Sequence, residues 1–252
     1  MNQNISKIIR NKIFFPFWKY LNALSQYGMN FGVASGYADY SGELHIMKKV
    51  KKDMKGGVVF DIGANIGDWS KFIIDEYKDT EYKLYVFEPS LVTCKELKNN
   101  IQESSSCFIY PIGFGDKKEN LKLFYDVAYQ GSASILMREG GRSEDIQIDT
   151  IDNFCKDNMI NKIDFLKMDV QGYEYNILLG AKDMLSNGSI KYIQFEFDEP
   201  NIENRIFFKD FWNLLNKDYK IFHSLYDGLI EVKEYCYELE NYRCMNYLAI
   251  LK

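Results

Sequence analysis

No stretch of this chain approaches the ~20 consecutive apolar residues that a membrane-spanning helix needs. Near the N-terminus, Lys7, Arg10 and Lys12 precede Ile13-Phe14-Phe15-Pro16-Phe17-Trp18. Lys19 ends that run below the ~7–15 residues of a secretory signal core, and no small-residue cleavage site follows. The five cysteines (Cys94, Cys107, Cys155, Cys236, Cys244) are odd in number and contain no C-x-x-C pair. Neither a disulfide framework nor a zinc site is indicated, and a reducing cytoplasm is the predicted setting. Basic charge is not in excess: 31 Lys and Arg stand against 36 Asp and Glu, a net charge of −5. That balance argues against a nucleic-acid partner held by bulk phosphate neutralisation, while leaving room for a local basic pocket. Internal repeats and low-complexity tracts are also missing.

What remains is 252 residues, 46% hydrophobic and 27% charged, which suits one α/β domain with additions and a single sizeable core. Residues 1–55 show no clear strand. Ile5, Ile8, Ile9, Lys12 and Ile13 fall near helical spacing, and Trp18, Leu21 and Leu24 continue it. This predicts a helical N-terminal extension that packs on the core, covers the active site or mediates homodimer formation. The cluster from Lys48 to Lys55 reads as the solvated face and end of a helix.

From residue 56 to 252 the pattern becomes alternating strand and helix. Val58–Ile62 is a short apolar run of the kind buried on both faces. Trp69, Phe72, Ile73 and Tyr77 make a helical stripe, followed by a strand at Lys83–Phe87 and a helix carrying Leu91, Cys94, Leu97 and Ile101, with Ser90 as N-cap. Further strands are predicted at Phe108–Ile112, Leu121–Tyr125, Ile163–Asp169, Ile190–Phe197, Tyr219–Tyr226, Leu229–Tyr235 and Met245–Leu251. Helices are predicted at Tyr173–Leu185 and Arg205–Asn216. Such repeated units imply a mostly parallel, doubly wound Rossmann-like sheet with an antiparallel C-terminal edge. Between Asp126 and Asp145 lies a long Gly/Ser-rich loop, of a length usually reserved for function. Aromatic residues reach 16%, enough for sugar-stacking surfaces, although such rings more often fill cores.

The strongest chemical signal is Asp61-Ile62-Gly63-Ala64-Asn65-Ile66-Gly67, at the end of the first core strand and opening a helix. Glycines there let the backbone turn sharply beside a ligand, and a helix N-terminus presents free amides. Asn65 stands where the dinucleotide fingerprint requires its second glycine, which disfavours an NAD-type pyrophosphate. The second signal is Phe87-Glu88-Pro89-Ser90, at the next strand end, where a carboxylate can accept bonds from both ribose hydroxyls. Together they point to a nucleoside cofactor without a diphosphate.

Asp169 and Glu196 also sit at predicted strand C-termini, where ligands of open α/β sheets bind. Either suits proton removal from an attacking alcohol. Alternatively, Asp169, Glu196 and Asp198 supply oxygen ligands for Mg²⁺, so metal dependence stays open. His223, one of two histidines, is a further candidate base, although a lone strand histidine is more often structural. Arg138 and Arg142 suit an anionic acceptor as well as they suit solvated loop cations.

These blocks resemble the FkbM family of S-adenosylmethionine-dependent methyltransferases over roughly residues 57–200. Gly113-Phe114-Gly115-Asp116, Gly131-Ser132-Ala133-Ser134 and Asp149-Thr150-Ile151-Asp152 belong to the likeness. Leu166-Lys167-Met168-Asp169-Val170-Gln171-Gly172-Tyr173-Glu174 is its most specific block, with Gln171 where the usual form has Glu. The resemblance implies a class I methyltransferase fold, S-adenosylmethionine as cofactor, and transfer of a methyl group to a hydroxyl, commonly of a sugar or similar polyol, free or nucleotide-linked, in bacterial surface-glycan biosynthesis. It implies that Gly63, Ala64, Asn65 and Gly67 approach the methionine moiety while Asp61 helps hold its ammonium. Glu88 would bind the ribose, Ile112 and Gly113 would lie near the adenine, with Asp116 a weaker contact, and Pro89 and Asp169 would also border the cofactor. An amine or phosphate-type acceptor, or a non-catalytic nucleoside-binding role, are the rival readings.

Overall fold

The computed structural model describes residues 7, 9–33, 41–125, 133–134 and 142–252. Gly131, Ser132 and Arg138 lie outside the described residues, as does most of the Gly/Ser-rich loop.

Val58, Val59 and Phe60 form the centre of β1 (Gly57–Ile62), which pairs in parallel with β2 (Tyr82–Phe87) on one side and β8 (Ile163–Met168) on the other. β3 (Cys107–Tyr110) extends the sheet beyond β2, and β9 (Ile190–Phe197) extends it beyond β8, again in parallel. The chain then reaches β10 (Tyr219–Leu225) and β11 (Gly228–Val232), and its last strand, β12 (Met245–Leu251), inserts antiparallel between β9 and β10. The resulting eight-stranded order is β11-β10-β12-β9-β8-β1-β2-β3. The direction of winding reverses between β1 and β8, and a crevice opens there at the strands' carboxyl ends.

Strand alternation divides the core in two. Phe60, Ile62, Phe87, Met168, Phe195 and Tyr247 face α5 (Ile151–Asp157), α6 (Glu174–Leu179) and α8 (Phe208–Leu215). Val59, Leu84, Val86, Phe165 and Leu248 face α2 (Glu43–Lys51), α3 (Asp68–Glu76) and α4 (Leu91–Asn100). Most aromatic rings serve these cores: Phe60, Phe87, Phe114 and Phe154 form one edge-to-face group, and Phe195 stacks on Phe211 at 4.7 Å. Ser90 caps α4 as predicted, accepting the Thr93 amide at 3.1 Å.

Three departures from the sequence reading have local causes. The single helix predicted over Tyr173–Leu185 is α6 followed by α7 (Lys182–Ser186). It breaks because Gly180 packs against the Gly115 carbonyl, 2.0 Å from where a Cβ would lie, while Asp152 accepts the amides of Asp183 and Met184 and starts a new helix. Residues 142–145, read as the end of a loop, open β7 (Arg142–Asp149), which lies in a second sheet, β4-β7-β5-β6, with β4 (Gly113–Phe114), β5 (Glu119–Tyr125) and β6 (Ala133–Ser134). Its charged residues conceal an alternation in which only Ile146 and Ile148 turn inward, onto Leu123. Finally, the two described helices of the N-terminal 55 residues differ in burial. Helix α1 (Phe15–Gly28) buries no side chain, whereas α2 places Ile46, Met47 and Val50 in the core.

Candidate active site

The turn after β1 is built from left-handed backbone. Gly63 (φ +78°), Asn65 (φ +50°) and Gly67 (φ +91°) all have positive φ. A Cβ on Gly63 would stand 2.0 Å from the Asp169 carbonyl, so the ends of β1 and β8 meet only because this residue is glycine. The Gly63 and Ala64 amides donate to the Phe87 carbonyl at 3.1 and 3.0 Å, which ties the turn to β2. The Glu88 carboxylate accepts from Asn65 N and from Ser90 N, both at 3.0 Å. One side chain thus joins the two motifs. Burial raises its pKa to about 7 against the lowering effect of those two amides, and its remaining lone pairs can accept from vicinal hydroxyls. Pro89 lies beside Gly113, where a Cβ would come within 3.4 Å of the Pro89 ring; Ile112 is half-buried next to them and Asp116 is exposed.

Parity along the strands places Asp61, Glu88, Lys167, Asp169 and Glu196 on the α2/α3/α4 face of the sheet. Lys167 is the cation among them, 3.4 Å from Asp61, 3.5 Å from Asp169 and 5.6 Å from the Trp69 ring centre. Although burial alone would favour its neutral form, the carboxylates of Asp61, Asp169 and Glu43 raise its pKa, so the ammonium is retained. Asp61 is fully buried; its other oxygen accepts the Ser70 hydroxyl at 2.6 Å. It therefore ties Lys167 to α3 from beneath the surface.

A cavity of about 130 Å³ lies over this cluster, lined by Gly63–Ile66, Asp68, Trp69, Phe72, Lys167, Asp169 and Glu43. Trp69 Nε1 is buried beside it without a hydrogen-bond partner among the described residues. Glu43 comes from α2 and is held by Ser41 Oγ at 3.1 Å and Gln194 Nε2 at 2.9 Å.

Around Asp169 the carboxyl groups are crowded. Glu196 accepts the Cys244 thiol, and burial together with Asp169 and Asp198 pushes its pKa well above the carboxylate range. Burial, with Asp169 and Glu199, raises Asp198 to about 7. Glu174 accepts the Val170 amide at 2.8 Å, and burial followed by Asp198 raises it to about 8. Gln171, itself left-handed at φ +58°, turns its amide toward Asp169 at 3.5 Å, so the departure from the usual Glu replaces a further carboxylate with a donor. Among the described residues no three acidic, histidine or cysteine side chains gather to hold a metal ion.

His223 does not join this group. Its register partner is Tyr247, on the opposite face from Glu196, and its ring packs edge-on against Phe31 and Tyr247 with Nε2 2.6 Å from the Met29 carbonyl. Arg142 opens β7 rather than lying in a loop. Sequence reasoning missed Glu43, Lys167 and Glu174 as members of the site. A lysine inside an apolar strand was the available signal for Lys167; Glu43 had none, because α2 joins the site only through tertiary packing.

No curated protein matches this chain. Among solved structures, a methyltransferase FkbM from Methylobacillus flagellatus KT is 17% identical with a TM-score of 0.49, over 77% of this chain and 43% of that one. This chain therefore spans less than half of that relative's length. A fibrillarin pre-rRNA processing protein of Methanococcus jannaschii is 14% identical with a TM-score of 0.45, over 79% of this chain and 67% of its own. The plantazolicin methyltransferase BpumL, in complex with SAH, is 10% identical with a TM-score of 0.44 over 86% of each chain. The model of the methyltransferase FkbM domain matches residues 61–221, from the acid that ends β1 into β10. By that match, over more than half its length, the chain belongs to the FkbM methyltransferase family.

Proposed function

We propose that the protein is an S-adenosylmethionine-dependent O-methyltransferase acting on a hydroxyl of a sugar or similar polyol, free or nucleotide-linked. The observation that carries this reading is the joining of Gly63–Gly67, Glu88 and Asp169 at the reversal point of the sheet, with a surplus of carboxylates around a single buried lysine. These residues fit the cofactor: the glycine turn leaves room for close approach, the orphaned Trp69 Nε1 borders the cavity, and acidic surroundings suit a sulfonium.

When bound, the cofactor supplies a methyl group made electrophilic by the positive sulfur. Gly63, Ala64, Asn65 and Gly67 would hold its methionine part, with Lys167 and Asp169 beneath, while Asp61 works through Lys167. Glu88 would take the ribose hydroxyls, and Pro89, Ile112 and Gly113 would flank the adenine. Asp169 is the residue we assign to receive the acceptor's proton. It borders the cavity with its side chain 17% exposed, and Lys167 and Gln171 fix its orientation. Glu196 is the less suitable base, because burial together with Asp169 and Asp198 raises its pKa well above the usual carboxylate range and its carboxylate already accepts the Cys244 thiol. His223, on the far face, has no part in this mechanism. Most of the rate enhancement would come from holding the acceptor oxygen in line in a desolvated site. A cytoplasmic role in bacterial surface-glycan synthesis belongs to the same proposal and rests on the family alone.

Methyl transfer from labelled S-adenosylmethionine to a panel of sugars, with amines as controls, tests this directly. Asp169→Asn should lower kcat by about 10²–10⁴-fold, as expected for loss of a general base. Near-normal turnover in the variant removes Asp169 from the mechanism, and transfer to amines alone refutes the hydroxyl acceptor.

A further inference from the structure

Helix α1 is the one long element of the described chain that contributes nothing to the core: none of its 14 residues is buried. Its exposed side chains are nevertheless strongly apolar. Phe17, Leu21 and Leu24 share one stripe at i, i+4, i+7 spacing, with exposures of 50%, 36% and 54%. Tyr20 and Tyr27 flank that stripe on one side and Trp18 and Ser25 on the other, while Lys19, Asn22 and Gln26 occupy the opposite face. Just ahead of the helix, Asn11 Oδ1 accepts the Ile13 and Phe14 amides, and Trp18 Nε1 donates to the Ile9 carbonyl at 2.8 Å. This folds residues 9–14 back against α1, with Arg10 and Lys12 exposed at its end.

The charge of this segment is the reverse of the chain's. Lys7, Arg10, Lys12 and Lys19 precede the first acidic residue, Asp39, in a protein with 36 acidic and 31 basic residues. Among the described residues, none of the four forms an ion pair. Two copies facing each other through α1 would bring these cations together, whereas an anionic surface would neutralise them. At ~1.5 Å per residue the helix is about 21 Å long, too short for the ~30 Å hydrocarbon core, so it can lie in the interface but not cross it. An apolar stripe bordered by Tyr and Trp, with Lys19 on the polar face and Arg10 and Lys12 just ahead of the helix, is the composition that inserts at the headgroup boundary.

We infer that α1, with residues 9–14, docks the protein on an anionic lipid surface. The segment continues directly into Asn30–Val33, which is bonded to the carboxyl edge of the sheet: Asn30 donates to the Ser41 and Ser224 carbonyls, and Gly32 N donates to Cys244 O. Docking through α1 therefore keeps the membrane beside the edge that holds the crevice, and it holds whatever the acceptor of the site is.

The test is flotation of the full chain with vesicles of phosphatidylcholine, alone or mixed with phosphatidylglycerol, read together with tryptophan emission. Trp69 is buried and Trp212 half-buried, so Trp18 is the exposed reporter. Binding to the mixed vesicles should exceed binding to the neutral ones about tenfold or more, given the attraction of each cation to an anionic surface, with a blue shift of emission. The pair Phe17→Ser/Leu24→Ser and the pair Lys12→Glu/Lys19→Glu should each abolish binding while leaving thermal unfolding unchanged, because none of the four side chains is buried. Wild-type protein that ignores both vesicles, or binds both equally, overturns the inference. Self-association in sedimentation that the Phe17/Leu24 pair abolishes, without vesicle binding, would do so in favour of a second copy.

Discussion

Single residues decide whether the crevice exists. Gly63 combines a positive φ with a carbonyl 2.0 Å from its missing Cβ, so Gly63→Ala meets both backbone strain and a backbone clash. Strain of this kind costs about 1–3 kcal/mol, and the Asp169 carbonyl has little freedom to yield because its strand is paired on both sides. The variant should unfold at a lower temperature in a calorimetric scan and should lose cofactor affinity as well. The need for glycine at this position was legible in the sequence. The fate of Asp61 was not: its place in the motif suggested a ligand contact, whereas burial and the Ser70 and Lys167 contacts make it an internal brace. A motif gives residue identity and spacing, but which face of a strand end stays open depends on what packs over it, here α2.

At the scale of elements, the short helix α6 carries a carboxyl at its start whose state depends on the whole carboxyl-end cluster. Glu174 is fully buried, bonds the Val170 amide with one oxygen and has a pKa of about 8. Its ordinary value is 4.5, so between those limits the folded protein holds a proton that the unfolded chain has released. Stability from this group is therefore full below the ordinary carboxylate range and is lost as pH rises through about 8. Glu88 and Asp198, raised to about 7, act with the same sign. Thermal unfolding should show a midpoint that falls from pH 5 to pH 8, with a slope of at most about 1.4 kcal/mol per pH unit for each group. Glu174→Gln should flatten the upper part of that slope; an unchanged slope would show that Glu174 is not the group responsible. The elements themselves were largely legible. The apolar runs of β1, β2, β8 and β9 and the Ser90 cap follow from local sequence, while the break at Gly180 and strand β7 depend on partners far along the chain.

At the scale of the whole molecule, the parallel centre and the inserted β12 set the crevice between β1 and β8, and the sequence anticipated both the doubly wound sheet and an antiparallel tail. It did not separate the two described N-terminal helices, of which α2 buries residues in the core and α1 buries none. Periodicity alone reads both as helices, and only packing separates them. The central claim is that the turn at Gly63–Gly67 and Glu88 together form an adenosyl pocket. Calorimetric titration with S-adenosylhomocysteine, of the wild type and of Glu88→Ala, tests it most directly. Saturable binding is expected, weakened about tenfold to a hundredfold in the variant, as for loss of hydrogen bonds to a charged group. Wild-type affinity should also decline as pH falls below about 7, where Glu88 takes up its proton. A folded wild-type protein that takes up no S-adenosylhomocysteine, or a Glu88→Ala variant that binds it equally well, would contradict the account.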